Sequence, residues 1–288
     1  MNNLVCIIVS FNRENKLPTT IEQCLLNGAD HIIIVDNNSN SEVINYLSSI
    51  ENYDNISILY NFDNVGASKA FKQGVNYLKN IVDINNSNVV FLDDDSYISS
   101  SFKDSLCYDD DFIVPKVVNL SGRQLRMNLP LLTVPSSFID VIKYLLRRPV
   151  PKNDNIQNVV SGSFVGLTMK SSIAYNNREL IPEDFFIYFD DVYFTLKLSE
   201  CGYQGKYIPS LNVIHDTTDE RRIGSDLTIY YLFRNAVITH REMTRWWWII
   251  VFGKSLIYIG NILKLSKNKS SNIKSLFSGI CDGIKYER

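Results

Sequence analysis

Three consecutive aspartates at the end of an apolar run constrain this chain more than any other feature. Val89-Val90-Phe91-Leu92 predicts a strand buried on both faces, as in a parallel sheet covered by helices, and Asp93-Asp94-Asp95 stand at its C-terminal end. Three adjacent carboxylates repel one another unless something positive lies among them. In an open α/β sheet that end of a strand is where ligands bind, and a divalent cation carrying a diphosphate supplies the counter-charge. One aspartate would suffice to cap a following helix; three exceed that need.

The residues before this strand repeat one pattern. Leu4 to Val9 predicts a buried strand that ends in Ser10-Phe11-Asn12-Arg13. A helix follows from Leu17 to Asn27, closed by Gly28, and Ile32 to Val35 predicts a second strand ending in Asp36-Asn37-Asn38-Ser39. Asn40 to Ile50 reads as a helix, Ile56 to Tyr60 as a strand, Asn61 to Gly66 as a polar turn and Lys69 to Leu78 as a helix. Strand, helix, strand in this order makes right-handed βαβ units, so the polar strand ends converge on one edge. That edge is expected to be a nucleotide pocket, with Asp36 accepting from a base imide N–H and the turn after the first strand closing over the ring. For Asp36 alone, an Asx turn at a strand end is the simpler account. No G-x-G-x-x-G and no Walker A run is present, which disfavours dinucleotide oxidoreductases and P-loop enzymes and leaves phosphate to be neutralised by metal.

In the second half, Ile113 to Val118 predicts a strand and Ser136 to Arg148 a helix with an apolar face of Phe138, Ile139, Val141, Ile142, Leu145 and Leu146, read as a packed surface helix in preference to a clamp on a second substrate. Small residues from Ser161 to Gly166 would leave open space for a ligand. Asp190 and Asp191 follow an aromatic run at the start of a helix, Val192 to Cys201. Helix-dipole stabilisation accounts for either carboxylate, whereas the aromatics beside them suit a general base acting on a substrate hydroxyl. His215 ends a short strand from Tyr207; an imidazole there is either a structural hydrogen bonder or a third ligand to a cation held by the aspartates. Arg234 has two readings, a phosphate contact or an ion pair with an acidic loop.

The series Val9 to Arg13, Val35 to Ser39, Asn64-Val65-Gly66-Ala67-Ser68 and Asp93-Asp94-Asp95 resembles family-two glycosyltransferases of the GT-A fold, bacterial galactofuranosyltransferases in particular and rhamnosyltransferases next. The resemblance implies an α/β fold with a mostly parallel central sheet, helices on both faces and a C-terminal helical extension. It divides the chain into a catalytic domain, 1–235, with a nucleotide-binding half, 1–111, an acceptor half, 112–235, and a basic aromatic segment, 236–288. It implies that Asp93, Asp95 and His215 hold Mn²⁺ or Mg²⁺. Ser10, Phe11, Asn12, Arg13, Asp36, Asn64, Gly66, Asp93 and Asp94 would line the donor site, Asp191 would be the base and Asp190 would contact a hydroxyl. The implied activity is inverting transfer of galactofuranose from a UDP-sugar to a glycan or lipid-linked acceptor in bacterial polysaccharide biosynthesis. Rhamnosyl transfer from dTDP-rhamnose, a sugar nucleotidyltransferase and a non-catalytic sugar-nucleotide-binding subunit are the rivals.

Charge and cysteines bear on surroundings. From residue 240 onward there are nine Lys/Arg against three Asp/Glu, while the whole chain carries −2. Trp246-Trp247-Trp248 and the apolar run behind them, with Lys254 interrupting it, predict an interfacial amphipathic helix against anionic lipid through 241–274, or equally a protein interface. Nucleic acid is not expected, and oligomerisation stays open. Five scattered cysteines and no evident signal peptide suggest a cytoplasmic protein, peripheral on the inner face of the cell membrane.

Overall fold

A computed structural model describes residues 3–106, 110–152, 154–217 and 223–287 of the chain. Cys107 lies outside these residues; Cys6, Cys24, Cys201 and Cys281 are free thiols. The N-terminal half follows the predicted alternation: β1 (Asn3–Ser10), α1 (Leu17–Leu26), β2 (His31–Asp36), α2 (Ser41–Ile50), β3 (Ile56–Tyr60), α3 (Ala67–Tyr77) and β4 (Ser87–Asp93). Asn40 caps α2 by accepting from the amides of Glu42 and Val43.

Side chains alternate across the sheet with period two, and each set has its own helices. Leu4, Cys6, Ile8, Ile32, Ile34, Val90 and Leu92 pack with Leu17 and Ile21 of α1 and Val43 and Leu47 of α2. Val5, Ile7, Ile33, Val35, Val89 and Phe91 pack on the other face with Phe71 and Val75 of α3. Apolar runs without polar interruption are what a strand covered on both sides requires. Gly74 lets α3 sit close, because a Cβ there would fall 2.5 Å from Ile7.

The described strands form one sheet in the order β3-β2-β1-β4-β8-β6-β9-β5, with β7 also paired to β9. Its remaining strands are β5 (Ser96–Ile98), β6 (Phe112–Val118), β7 (Gln157–Val159), β8 (Thr168–Lys170) and β9 (Gly205–His215). The parallel pairing expected for the sheet covers β3-β2-β1-β4 and recurs between β6 and β9. Past β4, β8 lies antiparallel to both β4 and β6, and β5 and β7 lie antiparallel to β9. Helices α5 (Ser171–Asn176) and α6 (Asp190–Glu200) add Ile173, Phe194 and Leu198 to the α3 face.

Between β6 and β7 lies α4 (Phe138–Leu146), capped by a reciprocal Ser137–Asp140 box. It differs from the expected packed helix: Val141 and Tyr144 are buried, but Phe138, Ile139, Ile142 and Leu146 are exposed. The chain closes with α7 (Asp226–Met243), α8 (Trp247–Leu265) and α9 (Lys269–Lys285), which pack on one another. Helix α7 runs without a break through residue 235. Among the described residues α8 alone is long and apolar enough to cross a membrane, by length and composition.

Candidate active site

Strand register builds the centre of the site. β4 ends at Asp93, the chain turns at Asp94-Asp95, and β5 pairs antiparallel with β9 so that Ser96 faces His215. That register puts the imidazole beside the carboxylates although 120 residues separate Asp95 from His215. His215 Nε2 lies 3.1 Å from Asp95 Oδ1, and one ligand atom each from Asp93, Asp95 and His215 all fall within 4.8 Å of one another.

The electrostatics follow from burial and crowding. Burial raises Asp93 to about 6, with Asp95 and Asp191 adding to the effect and His215 opposing it. Burial likewise raises Asp94 to about 7. Asp95 is also penalised by burial, but the hydrogen bond and charge of His215, with Arg13 and Lys16, outweigh it and hold its carboxyl below the usual range. The same contact raises His215 against its own burial. Two hard carboxylates and one borderline nitrogen suit Mn²⁺ or Mg²⁺, and a dication would relieve the repulsion that raises Asp93. The residues therefore fit a divalent metal.

Two cavities meet at this cluster. One, of about 350 Å³, is walled by Phe11, Arg13, Asn37, Asn64, Gly66 and the three aspartates. The other, of about 410 Å³, is walled by Ser163, Phe164, Tyr188, Phe189, Asp190 and Asp191. Asp93 and His215 belong to both, as do Ala67, Met127 and Ile187.

The expected donor residues divide into wall and support. Phe11, half-exposed, faces the first cavity, and Asp94 Oδ2 accepts from its amide at 2.9 Å. Arg13 reaches Asp94 at 3.5 Å and Asp95 at 3.7 Å. Asn64 braces the turn by accepting from the Gly66 amide at 3.0 Å. Gly66 has φ +84°, and a Cβ there would fall 2.6 Å from the Phe186 backbone, so this turn requires glycine. Asn12 instead ties two loops together, accepting from the Asn40 amide at 2.7 Å. Ser10 and Asp36 lie opposite each other at the ends of β1 and β2, fully buried, and unlike Asn37 neither lines the first cavity. Ser10 Oγ and Asp36 Oδ1 have no hydrogen-bond partner, while Asp36 Oδ2 accepts from the Ser39 amide. A buried carboxylate oxygen left unpaired is an acceptor in need of a donor.

Asp190 and Asp191 begin α6 and face the second cavity. Burial raises both, and their mutual repulsion adds most to Asp190. Asp191 is held by the amides of Val192 and Phe164 and by the Ser163 hydroxyl. The loop before them is bent sharply: Phe186, Tyr188 and Phe189 all have positive φ. Asn235 of α7 fastens it by donating to the carbonyls of Phe185, Ile187 and Tyr188 at 2.8–3.0 Å. Arg234 pairs with Asp184 at 2.7 Å, which decides its two readings in favour of the acidic loop.

Several residues at the site have no strong mark in the sequence. Lys16 lies 3.7 Å from Asp95. Met127 and Asn128 come from the region before α4, and Asn128 bonds Ser163 at 2.9 Å. Lys254, expected to face lipid, instead faces the second cavity with Tyr144 and Arg148. Its position inside an apolar run was the one available signal.

The model of glycosyl transferase family 2 matches residues 5–106, which contain β1 to β5 and the three aspartates. The structure of GalNAc-T7 with UDP, GalNAc and Mn²⁺ is 14% identical over 83% of this chain and 48% of that one, with a TM-score of 0.58. This chain thus spans about half the length of that neighbour. The structure of residues 1–349 of TarS from S. aureus is 12% identical over 99% of this chain and 73% of that one, with a TM-score of 0.54. Its complex with UDP-GlcNAc is 14% identical, with a TM-score of 0.54. No curated protein sequence matches. The chain has the fold of the GT-A glycosyltransferases, and its first hundred residues match family 2 of those enzymes.

Proposed function

We propose that this protein is a divalent-metal-dependent, inverting glycosyltransferase that uses a nucleoside-diphosphate sugar. One observation carries the reading: a metal-fit triad at the junction of two cavities, with a carboxylate pair in the second. The nucleotide occupies the first cavity, with Phe11 against the base and Arg13 near the phosphates. The orphaned Asp36 oxygen, on the residue before the cavity-lining Asn37, supports an imide N–H as its partner and hence a uracil or thymine base. The neighbours described with UDP and UDP-GlcNAc support uridine.

The sugar lies across the junction and the acceptor hydroxyl enters the second cavity. Asp191 takes its proton as the oxygen attacks the anomeric carbon, and the bond to the diphosphate breaks in the same in-line step, inverting configuration. Asp190, which burial keeps inclined to hold its proton, contacts a hydroxyl. A metal bound by Asp93, Asp95 and His215 supplies charge stabilisation for the leaving diphosphate. UDP-galactofuranose is the first donor to test and dTDP-rhamnose the second, on the motif resemblance; UDP-GlcNAc and UDP-GalNAc complete the panel. The acceptor is a glycan or lipid-linked glycan of bacterial polysaccharide assembly, reached by a cytoplasmic protein lying on the inner face of the membrane. The exposed apolar residues of α8 and α4 with the basic C-terminal segment support that contact.

The test is hydrolysis or transfer across the donor panel with Mn²⁺. One donor should turn over, and Asp191→Asn should lower turnover by about 10²–10⁴ while retaining donor binding. If a donor binds but no variant alters a vanishing turnover, the protein is the non-catalytic binding subunit instead.

A further inference from the structure

Lys254 interrupts the most apolar helix of the chain, yet its ammonium points inward. It lies 3.0 Å from His240 Nε2 and 5.4 and 5.7 Å from the ring centroids of Tyr144 and Phe189. His240 Nδ1 is bonded to the Ala236 carbonyl, so the proton sits on Nδ1 and Nε2 accepts from the ammonium. An imidazole and two ring faces hold a cation without neutralising it. Arg148, just past α4, lines the same cavity, and its hydrogen bond is a long one, 3.4 Å to the Leu129 carbonyl. Among the described residues no carboxylate pairs with either cation. Asp190 and Asp191 share the cavity but do not offset Lys254, which burial and the Arg148 charge push down to about 7. Two like charges thus face one cavity and repel each other, an arrangement that costs free energy until an anion enters.

We propose that Arg148 and Lys254 form an anion subsite beside the carboxylate pair, and that it takes a phosphate group carried by the acceptor. A guanidinium fork and a compact ammonium suit the several oxygens of a phosphate. The subsite rests on the reading of this cavity as the acceptor side. It adds to that reading a substrate class: an acceptor whose phosphate lies within one cavity's width of the hydroxyl that reacts.

Isothermal titration of the full chain in EDTA tests this without any transfer step. Methyl glucoside 6-phosphate is the soluble probe, methyl glucoside its neutral control, and vesicles of phosphatidylcholine with or without phosphatidic acid supply lipid-borne phosphate. The wild type is expected to bind a phosphate probe and not the neutral sugar. Arg148→Gln and Lys254→Gln should each weaken that binding at least tenfold, and Lys254→Arg should retain it. Loss with the soluble probe assigns a soluble acceptor phosphate, and loss on vesicles alone assigns a lipid-borne one. Arg148 is exposed, so its variant folds even where one at Lys254 does not. Unchanged phosphate binding in Arg148→Gln, or equal binding of the neutral sugar, overturns the subsite. UDP binding with Mn²⁺, measured in the same variants, should stay within twofold; if the wild type does not bind UDP, the donor reading fails separately.

Discussion

Asp191 receives hydrogen bonds from two amides and the Ser163 hydroxyl, so its carboxylate is aimed even though burial works against its charge. As a general base it should account for about 10²–10⁴ of the rate, so Asp191→Asn should lower kcat by that factor with little change in donor Kd, measured by single-turnover assay. The metal ligands predict a different signature. Asp95→Asn should remove the Mn²⁺-dependent part of the rise in Tm that UDP produces, because ligand stabilisation scales with binding. A rise that persists unchanged in EDTA would sink the metal site. Gly66 is a third kind of position, demanded by backbone shape alone. Gly66→Ala places a Cβ against the Phe186 backbone at φ +84°, and a loss of about 1–3 kcal/mol in urea unfolding is expected.

The bent loop over residues 182–189 is held by an element from elsewhere, helix α7. Asn235 donates to three of its carbonyls, and Arg234 pairs with Asp184. Each buried bond contributes about 1 kcal/mol, and an unmade one costs about 1–3 kcal/mol. Asn235→Ala should therefore lower stability by roughly 2–3 kcal/mol and also cut kcat, since the loop carries Asp190 and Asp191 into the cavity. Hydrogen exchange confined to 182–192 would show the loosening, whereas uniform exchange across the sheet would refute the coupling. Helices α4 and α8 meet through Leu145 and Gly253, and both present apolar residues outward. Each such side chain is worth about 1.5–3 kcal/mol if buried, so Phe252→Asp with Ile139→Asp should weaken sedimentation with anionic vesicles at least tenfold. Equal sedimentation of the double variant would leave protein contact as the use of that face.

At the scale of the molecule, packing α7 and α8 against the second cavity buries a lysine, and this predicts a pH dependence of stability. Lys254 sits near 7 when folded and at its ordinary value of about 10.4 when unfolded. Its neighbours are His240 on α7, Arg148 and Tyr144 at α4, and Phe189 before α6. Between these two values the unfolded chain binds the extra proton, so this group makes stability rise with pH from about 7 to about 10. Below about 7 both states are protonated and the penalty is complete. Lys254→Met should raise Tm at pH 6–7 and flatten the alkaline slope, by an amount on the order of a few kcal/mol. An unchanged slope would show that the ammonium is solvated.

The sheet half that carries the first cavity was readable because its information is local: unbroken apolar runs demand helices on both faces, and each run ends in polar residues. The acid-tipped strand and the polar turn ending at Gly66 are legible for that reason. Only the tertiary structure decided the rest. The β5–β9 register puts His215 beside Asp95, α7 clamps the loop carrying Asp191, and α4 and α8 turn Arg148 and Lys254 toward a shared cavity. These contacts join residues distant in sequence, and a charged side chain has no periodicity that tells whether it points to water, lipid or a ligand. Its direction is set by which neighbours the completed packing leaves beside it.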